Sequence, residues 1–424
     1  MKNRFMQRQF RDGRSLKMCV VVVLCFVGLD LRPIEAFGQS YSQTSRAFVQ
    51  SPGVLAMGDA GVALPSPETI FFYNPAHLSS VAGTRPQFTL LGIRGSLSNN
   101  FFDQLAFFED ELMPAIDDGL ETMSNEELRE LYDETLALGR RRTIVNGDLL
   151  LPSAIAKING IGFGAGAFGH SSLHYRFENA GAGIPHIDFT AIADFIFVGS
   201  GSFDFGRIGV DGLAAGLSGK VTNRWLTLKN KPLDAIGSDE DILFLKASAL
   251  GFDAGLQYDV GLFTLPGDLT LAAAAYDVVG SGYDYEYSSG TSEEGEINAD
   301  LIAEEEDLAN TLYALHPSYR VGAAYLLPQA LPGVFKNTAI ALDYLWYSHP
   351  NVPQESLSHL HLGAQTQVGF FILRGGLNSG YTTFGAGLHL GMISLDYAFY
   401  GVEQGRFPGQ LGSWNHSAQI ALGL

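Results

Sequence analysis

Strict two-residue alternation across residues 339–424 is what most narrows the folds open to this chain. Ala418, Ile420, Leu422 and Leu424 alternate with Ser417, Gln419, Ala421 and Gly423. Ile393, Leu395, Tyr397 and Phe399 alternate with Ser394, Asp396 and Ala398, and Phe384, Ala386, Leu388 and Leu390 with Thr383, Gly385, Gly387 and His389. Ile340, Leu342, Tyr344 and Trp346 alternate in the same way with Ala341, Asp343 and Leu345. Period two means strands. One face is large and apolar, the other small, polar or charged. A soluble sandwich also alternates, so the pattern alone leaves two architectures.

Connection lengths separate them. Fourteen strands are predicted, near 87–98, 142–157, 160–176, 187–203, 208–229, 245–260, 269–285, 315–327, 337–347, 358–368, 370–378, 381–391, 392–400 and 413–424. The even connections are short, among them Asn159-Gly160, 265–268, Gly369 and Gly391. The odd ones are mostly long: 99–141, 177–186, 230–244, 286–314, 348–357 and 401–412, with Ser379-Gly380 the exception. Tight turns at one end and long loops at the other are the asymmetry of an outer-membrane barrel. The predicted fold is therefore all-β: a transmembrane antiparallel β-barrel of about fourteen strands over 85–424, both ends on the short-turn side.

Composition agrees. The chain has 424 residues, 50 Gly, 29 Phe and 17 Tyr, with only 17 % charged. A net charge of −19 argues against a nucleic-acid partner. Residues 1–38 read as a cleaved signal peptide: basic residues Lys2 to Lys17, an apolar core from Met18 to Leu29, and a small-x-small site at Ala36-Phe37-Gly38. Both cysteines, Cys19 and Cys25, lie inside it, so disulfides and cysteine metal sites are not expected in the mature chain. No other apolar run approaches the length of a spanning helix.

Several motifs dissolve on inspection. Gly164 to Gly169 matches GxGxxG, but Gly160, Gly162, Gly164 and Gly166 recur at period two and no helix follows. This is the small-residue face of a strand. His359 and His361 share a face without any zinc-protease spacing, and no G-x-S-x-G marks a nucleophile. No catalytic group, metal or cofactor is expected. Arg320, Asp343, His361, Arg374, His389 and Asp396 fall on inward faces as lumen-facing polar candidates. Residues 101–139 are predicted to be helical, with Ser124 and Glu127 forming a capping box, and 292–307 is strongly acidic. Both are expected to be solvated extracellular decoration.

A fourteen-stranded barrel is too wide for its wall side chains to fill, so it needs a plug or leaks. Residues 39–84 supply a candidate, compact, apolar and glycine-rich, ending in Asn74-Pro75-Ala76. Asn caps helices well and Pro suits the first helical position, so 75–81 is predicted to form one or two helical turns. The stretch SRAFVQSPGVLAMGDAGVA (45–63), followed by FYNPAHL (72–78), resembles the N-terminal segment of FadL-like outer-membrane barrels, which include long-chain fatty-acid transporters and PorV/PorQ-type proteins. GLNSGYTTFGAGLHLGMISLDYAFY (376–400) is similar to the final hairpins of the PorV-like branch. The resemblance implies a luminal plug carrying Gly58, Gly61, Asn74, Pro75 and Ala76, and a place in the outer membrane of a Gram-negative-type bacterium, among its lipids. It also implies passive uptake of small hydrophobic molecules, or alternatively a PorV-like role binding secretion-system proteins through the long loops. Leu424 departs from the family by replacing the usual terminal aromatic.

Overall fold

The computed structural model describes residues 46–81, 86–179, 184–232, 242–261, 266–291, 298–328, 335–348, 356–405 and 407–424. The expected signal peptide lies outside the described residues, as do 39–45 and 82–84 of the plug segment and 292–297 of the acidic run.

The strands are β1 (Gln87–Ser98), β2 (Thr143–Ile158), β3 (Ile161–Asn179), β4 (Pro185–Asp204), β5 (Leu213–Pro232), β6 (Ile242–Val260), β7 (Asp268–Gly280), β8 (Glu286–Thr291), β9 (Ser318–Leu326), β10 (Phe335–Tyr347), β11 (Leu360–Val368), β12 (Phe371–Asn378), β13 (Tyr381–Leu390), β14 (Ile393–Glu403) and β15 (Gly412–Gly423). Each pairs antiparallel with its neighbours, β1 pairs with β15, and the ring closes. A closed ring leaves no backbone edge facing lipid, which is the condition for crossing a bilayer with strands. No helix among the described residues is long and apolar enough to cross instead.

The alternation sorts side chains as the sequence predicts. On β10, Ala339, Ala341 and Asp343 are buried, while Ile340 and Leu342 are nearly half exposed. Ile93, Phe163, Phe197, Leu217, Phe384 and Ile420 likewise face outward. Together they form an apolar belt suited to lipid. All three tryptophans, Trp225, Trp346 and Trp414, share that outward face toward the long-loop end. Trp346 stacks on Tyr319 and Trp414 on Phe399, as in an interfacial girdle. The tight turns follow their residues: Asn159 and Gly160 both have positive φ (51° and 74°), the requirement of a two-residue hairpin.

Two expectations need correction. The seventh strand does not run unbroken over 269–285. It stops at Gly280, and the chain returns to the sheet as β8. Opposite Asp253 of β6 the β7 register shifts, with Asp277 at φ 51° and bonded through its N–H to Asp253 Oδ1 (2.8 Å). Beyond that point β8 pairs only with β6. It is thus an interrupted continuation of the seventh wall strand, and the ring has fourteen staves.

The long loops are also more than solvated decoration. Within 101–139, Phe107, Leu112 and Leu131 pack with Phe177 of β3 into a small core of their own. The predicted capping box opens the helix Asn125–Gly139. The acidic run ends in the helix Ala299–Leu312, whose Ala309 is fully buried against the barrel mouth.

Candidate functional site

The lumen holds the chain's own N-terminal segment. After Ser51, a short helix (Pro52–Leu55) starts on Pro52 and turns sharply at Gly58 and Asp59, with φ of 67° and 65°. A second compact stretch follows: Pro67–Thr69, Ile70–Tyr73, Pro75–His77 and Leu78–Val81, each a single helical turn.

Asn74 joins these pieces to each other and to the wall. Its backbone is extended and its Oδ1 accepts from Ala76 N–H (3.0 Å), so it caps the turn that Pro75 begins, as predicted. Its Nδ2 donates to Val62 O and, across the lumen, to Leu256 O of β6, both at 3.1 Å. The side chain is fully buried. Gly216 and Gly255 on β5 and β6 face Pro75-Ala76 and Asn74, and a Cβ at either would overlap the plug. The small-residue inner faces of these strands are small because the plug lies against them.

Gly58 and Gly61 mark a second anchorage. Gly58 N–H donates to Thr383 Oγ1 (3.0 Å), and Gly58 O accepts from His361 Nδ1 (2.9 Å). A side chain at Gly58 would meet the backbone of Leu362 and Leu377, so glycine is required for space as well as for φ. The N–H groups of Gly61 and Val62 both donate to Asp343 Oδ2 at 2.8 Å. Arg320 donates to the Asp59 carboxylate (2.6 Å) and carbonyl (2.7 Å), and lies 3.5 Å from Asp343. Tyr73 donates its hydroxyl to Asp59 (2.9 Å), and Tyr276 of β7 donates to Tyr73 O (2.6 Å). His77 is buried and donates through Nε2 to Val62 O (3.1 Å); burial pushes its pKa down to about 4, so the ring is neutral.

Three of the six lumen-facing candidates, Arg320, Asp343 and His361, therefore grip the plug. Arg374 and Asp396 pair with each other (2.5 Å) on the inner wall, with Gly53 of the plug packed over the guanidinium. His389 stands apart, half exposed, with Nε2 3.8 Å from Asp396. Sequence reasoning missed Asp59 and Tyr73. The signal for Asp59 was a lone acid in an apolar run.

Around the plug the lumen has two characters. A cavity of about 130 Å³ is lined mostly by polar groups, including Gln50, Asn146, His174, Asn378 and Glu403. On the β2–β6 side the surface is apolar. Phe71, Phe72 and Leu78 of the plug pack on Leu150, Ile155, Phe168, Ile196 and Val198. Toward the long-loop end a second cluster gathers Ile192, Leu226, Leu228 and Leu245 with Tyr283 and Tyr285. Ala47 belongs to the first cluster and shares a small void with Tyr283 and Leu315 beside the second.

Directly outside the first cluster the ladder is incomplete. Pairing between β1 and β2 lapses at Leu90-Leu91 opposite Leu151-Pro152, and β2 also shifts register against β3 between Leu150 and Ser153. Pro152 has no N–H to give the ladder. A groove of about 600 Å³ opens there on the outer side of the barrel, floored by small residues such as Ala165, Ala167 and Gly199.

No family model and no curated protein matches the chain. Among solved structures, the toluene transporter TbuX of Ralstonia pickettii is similar at 13% identity, with 92% of this chain and 98% of that chain covered and a TM-score of 0.48. The toluene transporter TodX of Pseudomonas putida is similar at 12% identity (89% and 97% covered, TM-score 0.44), and a FadL homologue of Pseudomonas aeruginosa at 11% (91% and 99% covered, TM-score 0.43). On its own architecture, the chain is a barrel of fourteen antiparallel staves closed around its own N-terminal segment.

Proposed function

We propose that this barrel sits in the outer membrane of a Gram-negative-type bacterium and admits small hydrophobic molecules by passive uptake. The observation that carries the reading is the groove at Pro152. It lies on the outer side of a wall region where pairing lapses and where the plug's Phe71 and Phe72 press from within. An apolar solute would enter at the cluster around Ile192 and Leu226. It would follow the apolar β4 face past Ile196 and Val198, and leave sideways into the membrane once Phe71 and Phe72 shift. Desolvation drives the passage at about 25 cal/mol per Å² of apolar surface removed from water. Lateral release keeps the solute out of water throughout.

The test is uptake of a fluorescent aromatic hydrocarbon into liposomes carrying the folded barrel. Ala165→Trp fills the groove from the lipid side and leaves the plug untouched. Uptake by the parent, reduced at least fivefold by Ala165→Trp and altered by Asn74→Ala, supports the reading. Equal uptake by parent and Ala165→Trp overturns the lateral exit. No uptake by any folded form overturns transport and leaves the loop-mediated binding of secreted proteins as the alternative.

A further inference from the structure

The seventh wall strand is interrupted between Gly280 and Glu286, and past the interruption its outer edge has no strand partner among the described residues. β9 pairs with β7 only as far as Tyr276 opposite Ser318. The place of the missing ladder is taken by the helix Ala299–Leu312. The Asn310 side chain accepts from Tyr285 N–H (2.9 Å) and donates to Tyr285 O (3.3 Å), the two bonds a strand residue would exchange. One turn back, Glu306 Oε1 accepts from Tyr287 N–H (2.6 Å). Residues four apart on a helix lie on one face, and residues two apart on a strand lie on one side, so the two pairs register. Ala309 between them is fully buried over the cluster of Leu226, Leu245 and Tyr285.

We infer that the helix Ala299–Leu312 is a detachable stave: a lid that closes the wall by side-chain mimicry of a strand and opens to uncover the apolar cluster beneath it. A true strand is held by a continuous backbone ladder. This helix meets β8 and the residue before it through the side chains of Glu306 and Asn310, packs on the cluster with Ala309 and Leu312, and ends at Tyr313, whose hydroxyl bonds Thr190 (2.9 Å) and whose carbonyl accepts from Tyr285 Oη (3.3 Å). Such an attachment opens at far lower cost than the barrel unfolds. The inference concerns access to the cluster and stands whether or not the barrel transports.

Cys19 and Cys25 are the only cysteines, so in a Cys19→Ser, Cys25→Ser background a single introduced thiol reports alone. Maleimide labelling of Ala309→Cys in liposomes is compared with Leu308→Cys, which is exposed in the closed form. Leu308→Cys is expected to label promptly and Ala309→Cys slowly, and adding Asn310→Ala is expected to speed Ala309→Cys about tenfold with the folded-barrel gel mobility retained. Equal labelling at both positions in the parent, or no acceleration by Asn310→Ala, overturns the lid. Hydrogen exchange on the unsubstituted chain gives an independent reading. The Tyr285 and Tyr287 amides should open together with the helix and well before the β5–β6 ladder. Exchange of those two amides only at the ladder's rate overturns the proposal.

Discussion

The carboxylate of Asp343 on β10 reaches across the lumen to Val62, taking its N–H at 2.8 Å while the same oxygen takes the N–H of Gly61 at 2.8 Å. Two consecutive amides converging on one carboxyl oxygen make a small nest. Asp343 has no exposure, and these two amides and Arg320, 3.5 Å away, are the groups its carboxyl meets. Leaving a buried donor without its acceptor costs roughly 1–3 kcal/mol. Asp343→Ala should therefore loosen the Gly58–Val62 turn by about 3 kcal/mol and speed exchange of the Gly61 and Val62 amides about a hundredfold, with smaller effect from Asp343→Asn. Unchanged exchange in the alanine variant would show that packing alone seats the turn.

Among the described residues Arg320 is the one cation salt-bridged to Asp59, and both are buried. Removing one member of a buried pair strands the other, at about 3–5 kcal/mol. Arg320→Met should lower the urea midpoint of unfolding accordingly. Arg320→Met combined with Asp59→Asn should recover part of the loss, because the orphaned charge is gone. A double variant no better than the single one would mean that Asp343, rather than Asp59, is the partner that needs Arg320.

The wall was legible because period two encodes it directly: Asp343, Arg374 and Asp396 could be placed inward from their neighbours alone. The plug was legible from Asn74-Pro75-Ala76, whose capping chemistry is local. What joins the two was not. Arg320 and Asp59 are 261 positions apart, Gly61 and Asp343 282, Gly58 and His361 303. No periodicity links residues so distant, so the lumen-facing set could be named but not matched to partners. The break in the seventh strand was hidden for a different reason. Val278 and Val279 favour strand, and Asp277 takes a positive φ that its residue type only weakly signals. The helix that closes the break announced itself only as acidic, since the informative positions are a single Ala309 and a single Asn310.

Gly255 tests how closely the plug fits. A Cβ there would lie within the van der Waals surface of Asn74 Oδ1, whereas one at Gly95 on the outer face meets nothing within 4 Å. Overpacking costs about 1–3 kcal/mol where the neighbours cannot yield. Gly255→Ala should unseat the Asn74 contact to Leu256 O and raise ion conductance of the barrel in planar bilayers, while Gly95→Ala behaves as the parent. Equal conductance in all three would mean the plug can shift to accommodate a methyl without opening the lumen.

His77 gives the seated plug a pH dependence whose sign follows from its burial. An exposed histidine takes a proton near pH 6.5, but seated in the lumen His77 does so only near 4. Between those values an unseated plug binds a proton that the seated plug refuses. Seating is therefore favoured fully above about pH 6.5 and weakens progressively as pH falls toward 4. At the lower end the loss reaches about 3 kcal/mol, taking 1.36 kcal/mol per unit of pKa. Exchange of the Val62 and Ala76 amides should accelerate on moving from pH 7 to pH 4.5 beyond the intrinsic pH effect on exchange. His77→Gln keeps a donor for Val62 O and cannot titrate, so its acceleration should be much smaller. Matching pH profiles for parent and His77→Gln would remove His77 as the source.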